Sequence, residues 1–407
     1  MNILPLWKRN LTVLTFSLFL TFAAWNSIMP FLPLYLEQEL GVHGDSSIKF
    51  WTGAIFGINF LTMMIVAPFW GKVGDKYGRK LMIIRSGVGL GFVIMLMGFA
   101  QTPLQLLLLR LLNGTISGMN PAAIALVSTN SPKEKVGFAL GTLQSGTVAG
   151  SILGPVIGGF LADFFGFRQI FYFTGCVLLF STLLVQIFVK EIDKPDTAIQ
   201  TSRMKSDMKK NFRTAPLLTL FTTGFLIQFA LLSTNTFVPI FAQELLPEDR
   251  ASISLLIGIA VSATGVASMF FAPVFGRLGD RVGSQRVLFY NLVGTTLFLI
   301  PHIFVASYQQ FLVCRFLLGL CIGGLIPSVN ALIRKFAPQG MESSTYGYSN
   351  SFIYLGMMMG PIIGGILSGI IGVRGLFILA AFLFLVTTFW FQKHISQINR
   401  ECGNYAA

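Results

Sequence analysis

The residues of this chain that could do chemistry are two arginines and one short charged loop. Arg110, in RLLNG, and Arg315, in RFLLG, each lie inside a long apolar stretch. A guanidinium in hydrocarbon costs several kcal/mol unless it meets water or a partner. Each arginine therefore implies a buried polar partner, a water-filled cavity, or a reach out to the headgroups. The loop is GKVGDKYGRK at 71–80, in which Gly71, Gly74 and Gly78 permit tight turning and Asp75 precedes Arg79 and Lys80. Other chemistry is not encoded. There is no GxxxxGK[ST] phosphate loop, nucleophile elbow or paired carboxylate set, so neither ATP hydrolysis nor another enzymatic activity is expected. His43, His302 and His394 are far apart, and Cys176, Cys314, Cys321 and Cys402 form no CxxC, so no metal and no cofactor is expected.

The elements that must carry these residues are membrane helices. Of the 407 residues, 54% are hydrophobic and 11% charged, against roughly 25% charge in a soluble domain. A spanning helix needs about 20 apolar residues. Runs of that kind lie near 12–36, 50–70, 81–101, 104–127, 136–162 and 168–189, and again near 216–242, 253–275, 287–306, 308–333, 344–371 and 374–392. The fold class expected is an all-α membrane protein of twelve transmembrane helices. Lys8 and Arg9 precede a first apolar run too long for a signal peptide, so that run is read as a retained helix. Residues 190–215 are the one long polar stretch. They divide the chain into a six-helix bundle at 1–189, a cytoplasmic linker at 190–215, and a second bundle with a short tail at 216–407. The linker has room for an amphipathic helix on the membrane surface.

Orientation follows from the basic residues. With the N-terminus inside, the outer loops hold only Lys49, Arg168, Arg250 and Arg374, while the inner segments are rich in Lys and Arg. The net charge of +13 is then a topology signal and not a nucleic-acid footprint, and both termini are cytoplasmic.

The two halves are copies. APFWGKVGDKYG at 67–78 matches APVFGRLGDRVG at 272–283, and Arg110 matches Arg315, both 205 residues apart. GSILGPVIGG at 150–159 matches GMMMGPIIGG at 356–365, and GFR at 166–168 matches GVR at 372–374, both 206 apart. Four matches in one order signal a duplicated six-helix unit.

These residues resemble a known family. The 71–80 loop is similar to the cytoplasmic-loop motif of the major facilitator superfamily, GSILGP to its antiporter motif, and Arg110 in RLLNG to its helix-4 arginine motif. With WKRN and MPFLPLYLEQELGV, the whole chain resembles the twelve-helix drug:proton antiporter branch, most like MdtG-type bacterial multidrug efflux transporters. The resemblance implies a gating switch of Gly71, Asp75, Gly78, Arg79 and Lys80, with Asp280 in the second copy. That copy lacks the Arg-Lys pair, having Ser284 and Gln285, so an asymmetric lock is expected. It further implies coupling through Arg110, with Glu37 as its best acidic partner and Arg315 as its counterpart. Gly150, Gly154 and Pro155, with Gly356, Gly360 and Pro361, are expected to pack helices closely along the seam where the halves rock, as are Gly137 and Gly141. Asn26, Asn59, Asn113, Asn120, Gln144, Gln228, Asn235, Asn330 and Asn350 are cavity candidates, with helix–helix hydrogen bonding as the plainer alternative.

One departure weakens proton coupling. Where many drug:proton antiporters carry a carboxylate in helix 1, this chain has Asn26, leaving Glu37, Asp163, Glu244 and Asp75 as proton carriers or as ordinary interfacial acids. The function expected is proton-coupled efflux of amphipathic compounds by a monomer in the bacterial cytoplasmic membrane, its partners being substrate, protons and lipid. The alternatives are a proton-coupled or facilitative transporter of a polar metabolite and a non-transporting sensor of the same fold.

Overall fold

The structure, a computed structural model, describes residues 5–132, 135–191, 215–246, 252–337 and 342–405. Within those ranges the side chains of residues 67, 68, 71, 72, 75, 76, 136, 137, 215, 280, 342–344, 346, 347 and 395–405 lie outside the description. Most of the expected linker, at 192–214, lies outside the described residues.

The described residues form helices joined by short turns. Helix α1 is Leu6–Ile28, followed by a 3-10 turn at Met29–Phe31 and α2 at Leu32–Gln38, with Pro30 and Pro33 at the joins. Next come α3 (Asp45–Tyr77), α4 (Arg79–Met97), α5 (Pro103–Ile116), α6 (Met119–Asn130), α7 (Val136–Phe165) and α8 (Phe167–Phe188). After the linker come α9 (Ala215–Asn235), α10 (Val238–Glu244), α11 (Ile253–Val282), α12 (Ser284–Leu299), α13 (Pro301–Phe304), α14 (Tyr308–Phe336) and α15 (Glu342–Tyr405). By length and composition, 10 stretches among the described residues suffice to cross a membrane. The difference from twelve has two causes. The stretch from 103 to 130 is broken into α5 and α6, each too short alone. Helix α15 is two helices meeting at Gly372, whose φ of 71° interrupts the helical path.

The duplication recurs in local geometry. Thr102 caps α5 by accepting from Gln105 N at 3.3 Å, and the Gln105 side chain accepts from Gln101 N at 2.8 Å. Ser307 and Gln310 do the same for α14, at 3.4 and 3.0 Å. Both are variants of the capping box in which the glutamine reaches the N–H one residue before the cap. Arg168 and Arg374 likewise repeat, donating to the carbonyls of Gly98 and Ile303.

The burial pattern is that of a protein dissolved in lipid. Phe92, Phe99, Phe180 and Phe389 are exposed, while hydroxyls join helices inside. Ser17 and Ser181 lie 2.6 Å apart, and Thr174 Oγ1 is 3.2 Å from Ser27 Oγ, both links tying α1 to α8. Interhelical hydrogen bonds of this kind take over where no hydrophobic force separates helix from lipid. The chain forms two compact units. One comprises Met1–Thr197 with Leu246–Ser262, and the other Ala198–Leu245 with Ala263–Ala407.

Candidate functional site

Arg110 and Arg315 are both buried, each 2% exposed, yet their surroundings differ. Arg315 Nη1 donates to Asn235 Oδ1 at 2.8 Å, where α14 passes the end of α9. Arg110 Nη2 points at Met29 Sδ at 3.5 Å, and its guanidinium carbon lies 5.2 Å from the Trp25 ring centroid. Its Nε has no hydrogen-bond partner among the described residues. A thioether is a weak acceptor, so the Trp25 face supplies much of what compensates this cation. Glu37 is not its partner. That side chain is exposed at the end of α2, two turns beyond Met29, and makes no ion pair with Arg110. The acid on this segment that does pair is Glu39, which accepts from Arg168 Nε at 2.7 Å.

The buried amides near Arg110 are under-satisfied. Asn113, fully buried one turn further along α5, has no partner for either amide atom among the described residues. Asn59 on α3 donates to Met63 Sδ at 3.4 Å and leaves Oδ1 unpaired. The two helices touch here, since a Cβ on Gly114 would overlap Thr62 and the Asn59 carbonyl. Asn120 Oδ1 on α6 is also unpaired. Other amides expected in the cavity are placed differently. Asn26 donates to Phe22 O at 2.8 Å and approaches Ser151 of α7. Gln144 and Asn350 are exposed, while Gln228 and Asn330 are half-buried.

The charged segment expected as a loop is helical up to Tyr77 and again from Arg79, turning only at Gly78, and it is organised around a carboxylate that sequence reasoning missed. Glu191, just past α8, accepts from the backbone N–H of Arg79 at 2.8 Å and of Lys80 at 3.1 Å. It thereby covers the positive end of α4. Gly78 makes room for it: φ is 98°, and a Cβ there would lie 2.9 Å from Glu191 Oε2. The Arg79 side chain donates to Ala125 O and Thr129 Oγ1 of α6, and Lys80 Nζ to Gln186 O of α8. These two bases are thus engaged inside the first unit. The side chains of Asp75 and Asp280 lie outside the described residues, though the backbone of Gly71, Asp75 and Asp280 is helical in α3 and α11.

The glycine motifs pack helices closely, as their spacing predicts. A Cβ at Gly154 would lie 2.6 Å from the Ala23 carbonyl oxygen, and one at Gly150 would run into that of Phe19, both on α1. Gly356 and Gly360 press α15 on α9 in the same way. Gly141 has nothing within 4 Å, against expectation, and Gly137 lies outside the described side chains. The opposite face of α7 meets the start of α11. There Asp163 accepts from the backbone N–H of Ser254 and Leu255 at 3.1 and 3.0 Å, and Ser262 donates to Ile152 O at 2.6 Å. Pro155 lies at this contact, its carbonyl against Gly258. Towards the other end of α7, a groove of about 380 Å³ opens against α1. Hydroxyls of Thr12, Thr15, Thr142 and Ser145 line it with Phe16 and Phe19, and no charge enters it.

A repeated set of apolar helices, with buried arginines and close glycine seams, defines a multi-pass membrane transporter. Comparison with known proteins makes the class specific. The family model of the Major Facilitator Superfamily matches residues 14–254 and 246–396. Multidrug resistance protein MdtG of Salmonella typhimurium is 40% identical over 375 residues, 92% of this chain and 92% of the relative. That of Enterobacter lignolyticus is 40% identical over 379 residues, 93% and 90%. Among solved structures, the nucleoside transporter NupG superposes with a TM-score of 0.79 at 16% identity, covering 95% of this chain and 99% of that one. A bacterial homologue of the human lysosomal transporter Spinster gives 0.78 at 13% identity, covering 96% and 97%. The chain belongs to the major facilitator superfamily.

Proposed function

We propose that this chain exports amphipathic small molecules, drugs among them, across a bacterial cytoplasmic membrane, driven by proton influx. The observation that carries the reading is the groove between α1 and α7. Hydroxyls and phenylalanines without a fixed charge suit compounds that are apolar over most of their surface and hydrogen-bond at a few points. Kinship with proteins named for multidrug resistance supports the same substrate class. The exporter works as a monomer with both termini in the cytoplasm.

In this reading Arg110 is the coupling cation, because its charge has no carboxylate partner among the described residues and can respond to one brought by substrate or exposed by movement. Gly71, Asp75, Gly78, Arg79 and Lys80 form the switch on the cytoplasmic side, and Asp280 belongs to its weaker copy. Alternating access then uses elements with two discrete arrangements.

The test is transport by the purified protein in proteoliposomes, over a panel of amphipathic cations, anions and neutral compounds, with and without an imposed pH gradient. Accumulation that follows the gradient supports the reading. Accumulation indifferent to any proton gradient removes proton influx as the driving force, and uptake of a single polar metabolite removes the drug assignment. Within the same assay, Asp75→Asn is expected to reduce flux sharply while insertion is retained.

A further inference from the structure

The fourth membrane pass is broken in the first unit and its counterpart in the second is not. Helix α5 ends at Ile116, Gly118 has φ 144°, and α6 begins at Met119. The break frees the last carbonyls of α5, and side chains from two other helices take them. Trp70 Nε1 of α3 donates to Thr115 O at 2.6 Å. Arg85 Nη2 of α4 donates to Ile116 O at 3.1 Å and reaches Ser117 O at 3.5 Å. The two donors are stacked, with Arg85 Cζ 3.3 Å from the Trp70 ring centroid. Arg85 is a third arginine within a membrane helix, and the break gives its Nη2 carbonyl dipoles and its guanidinium an aromatic face, while Nε has no partner among the described residues.

The second copy shows which features make the break. Helix α14 runs unbroken from Tyr308 to Phe336 although it contains Pro327, the counterpart of Pro121. A proline alone is therefore not sufficient. What the second copy lacks is the pair of donors: Trp70 corresponds to Phe275, and Arg85 to Tyr290, which is exposed. It also has one residue more between its arginine and its proline, 315 to 327 against 110 to 121. The missing residue of the first copy is absorbed at the break.

We infer that Trp70 and Arg85 are positioning residues for transport: they hold the break at Ser117–Gly118 open, so that α6 swings separately from the segment bearing Arg110 and Asn113. This rests on the reading of the chain as an alternating-access transporter. Swinging exchanges the two carbonyl contacts of Arg85 for others without unwinding either helix, because the bonds across the break are already supplied by side chains.

The experiment measures α6 directly. Spin labels are placed at Leu108 and Ile124, both exposed, on a background in which the four native cysteines are changed to alanine. The distance distribution is read by pulsed electron resonance in lipid nanodiscs. A straight helix would separate these positions by about 24 Å. The native break is expected to give a shorter, two-component distribution. Installing the second-copy residues, Trp70→Phe with Arg85→Tyr, is expected to merge it into one longer component and to lower transport at least tenfold. A single narrow distance in the native sequence overturns the inference, as does an unchanged distribution in the variant. Should the double variant not be recovered folded, Arg85→Lys keeps the charge but loses the planar reach to two carbonyls. It is expected to shift the component ratio, and an unchanged ratio counts against the inference. Because the distances need no substrate, absence of drug efflux would sink the proposed function while leaving this test intact.

Discussion

Arg315 donates to Asn235 Oδ1 at 2.8 Å, and Arg110, its counterpart 205 residues earlier, faces Met29 Sδ at 3.5 Å. Met29 precedes Asn235 by 206 residues, the offset that relates FLPLY at 31–35 to FVPIF at 237–241. The two sites are thus one site in two chemistries. In the second unit an amide oxygen meets the guanidinium, and the pair serves as an anchor. In the first unit a thioether stands there, and the cation is left short of acceptors. Transferring the residue should transfer the property. Met29→Asn is expected to raise the thermal midpoint of the purified protein, while Asn235→Met lowers stability by roughly 1–3 kcal/mol. Thermal unfolding in detergent checks both; a lower midpoint for Met29→Asn would mean that Met29 is needed for its packing.

The same asymmetry sets an expectation for coupling. Removing the guanidinium with Arg110→Ala should abolish drug-dependent proton release in proteoliposomes. Arg110→Lys, which keeps the charge as a compact ammonium without the planar fork, should retain a part of it. A pH-sensitive dye outside the vesicles reads the difference. Coupled transport that survives Arg110→Ala would identify the residue as an anchor, like Arg315.

Glu191 carries a third expectation. It covers the start of α4 through two backbone N–H groups, an arrangement in which a carboxylate contributes about 0.5–2 kcal/mol. Glu191→Ala should loosen the joint between α4 and α8, seen as faster hydrogen exchange at the amides of Arg79 and Lys80. Gly78→Ala should do the same by a different route, since the added Cβ meets the Glu191 carboxylate and φ is unfavourable for an L side chain. Unchanged exchange in Glu191→Ala would show that the cap is dispensable.

The fold was legible because its signals are long. Apolar runs of about 20 residues and a repeat at nearly constant offset survive any error in a boundary. The site was legible only in part, for a physical reason. Arg110 and Arg315 announce themselves, since a charge in an apolar run is conspicuous. Asn235, the partner of Arg315, stands out as an amide in an apolar run, but Met29 and Trp25, which face Arg110, are ordinary membrane residues until a guanidinium meets them. Glu191 looked like the first acid of a polar linker, and nothing in its spacing links it to an amide 112 residues away. The signal that was available for Trp70 and Arg85 lay in the repeat: positions where the copies differ, Phe275 and Tyr290, mark what the first copy does alone.

The glycines of α7 offer the sharpest contrast within a single helix. Gly154 lies against α1 so closely that a Cβ would stand 2.6 Å from the Ala23 carbonyl and 2.7 Å from Asn26 Cβ. A backbone carbonyl cannot rotate aside, so a methyl there must push the two helices apart. Gly141, thirteen residues earlier in the same helix, has open space where its Cβ would be. Gly154→Ala is therefore expected to destabilise by roughly 1–3 kcal/mol, the cost of overpacking. Gly141→Ala should be neutral or stabilise by up to about 1 kcal/mol, because alanine is the better helix former. The measurement is the thermal midpoint of each variant in detergent, alongside its yield in membranes. Equal effects of the two substitutions would mean that helix propensity, and not the approach of α7 to α1, governs this stretch. A selective loss at Gly154 would identify the α1–α7 seam as the rigid wall of the adjoining groove.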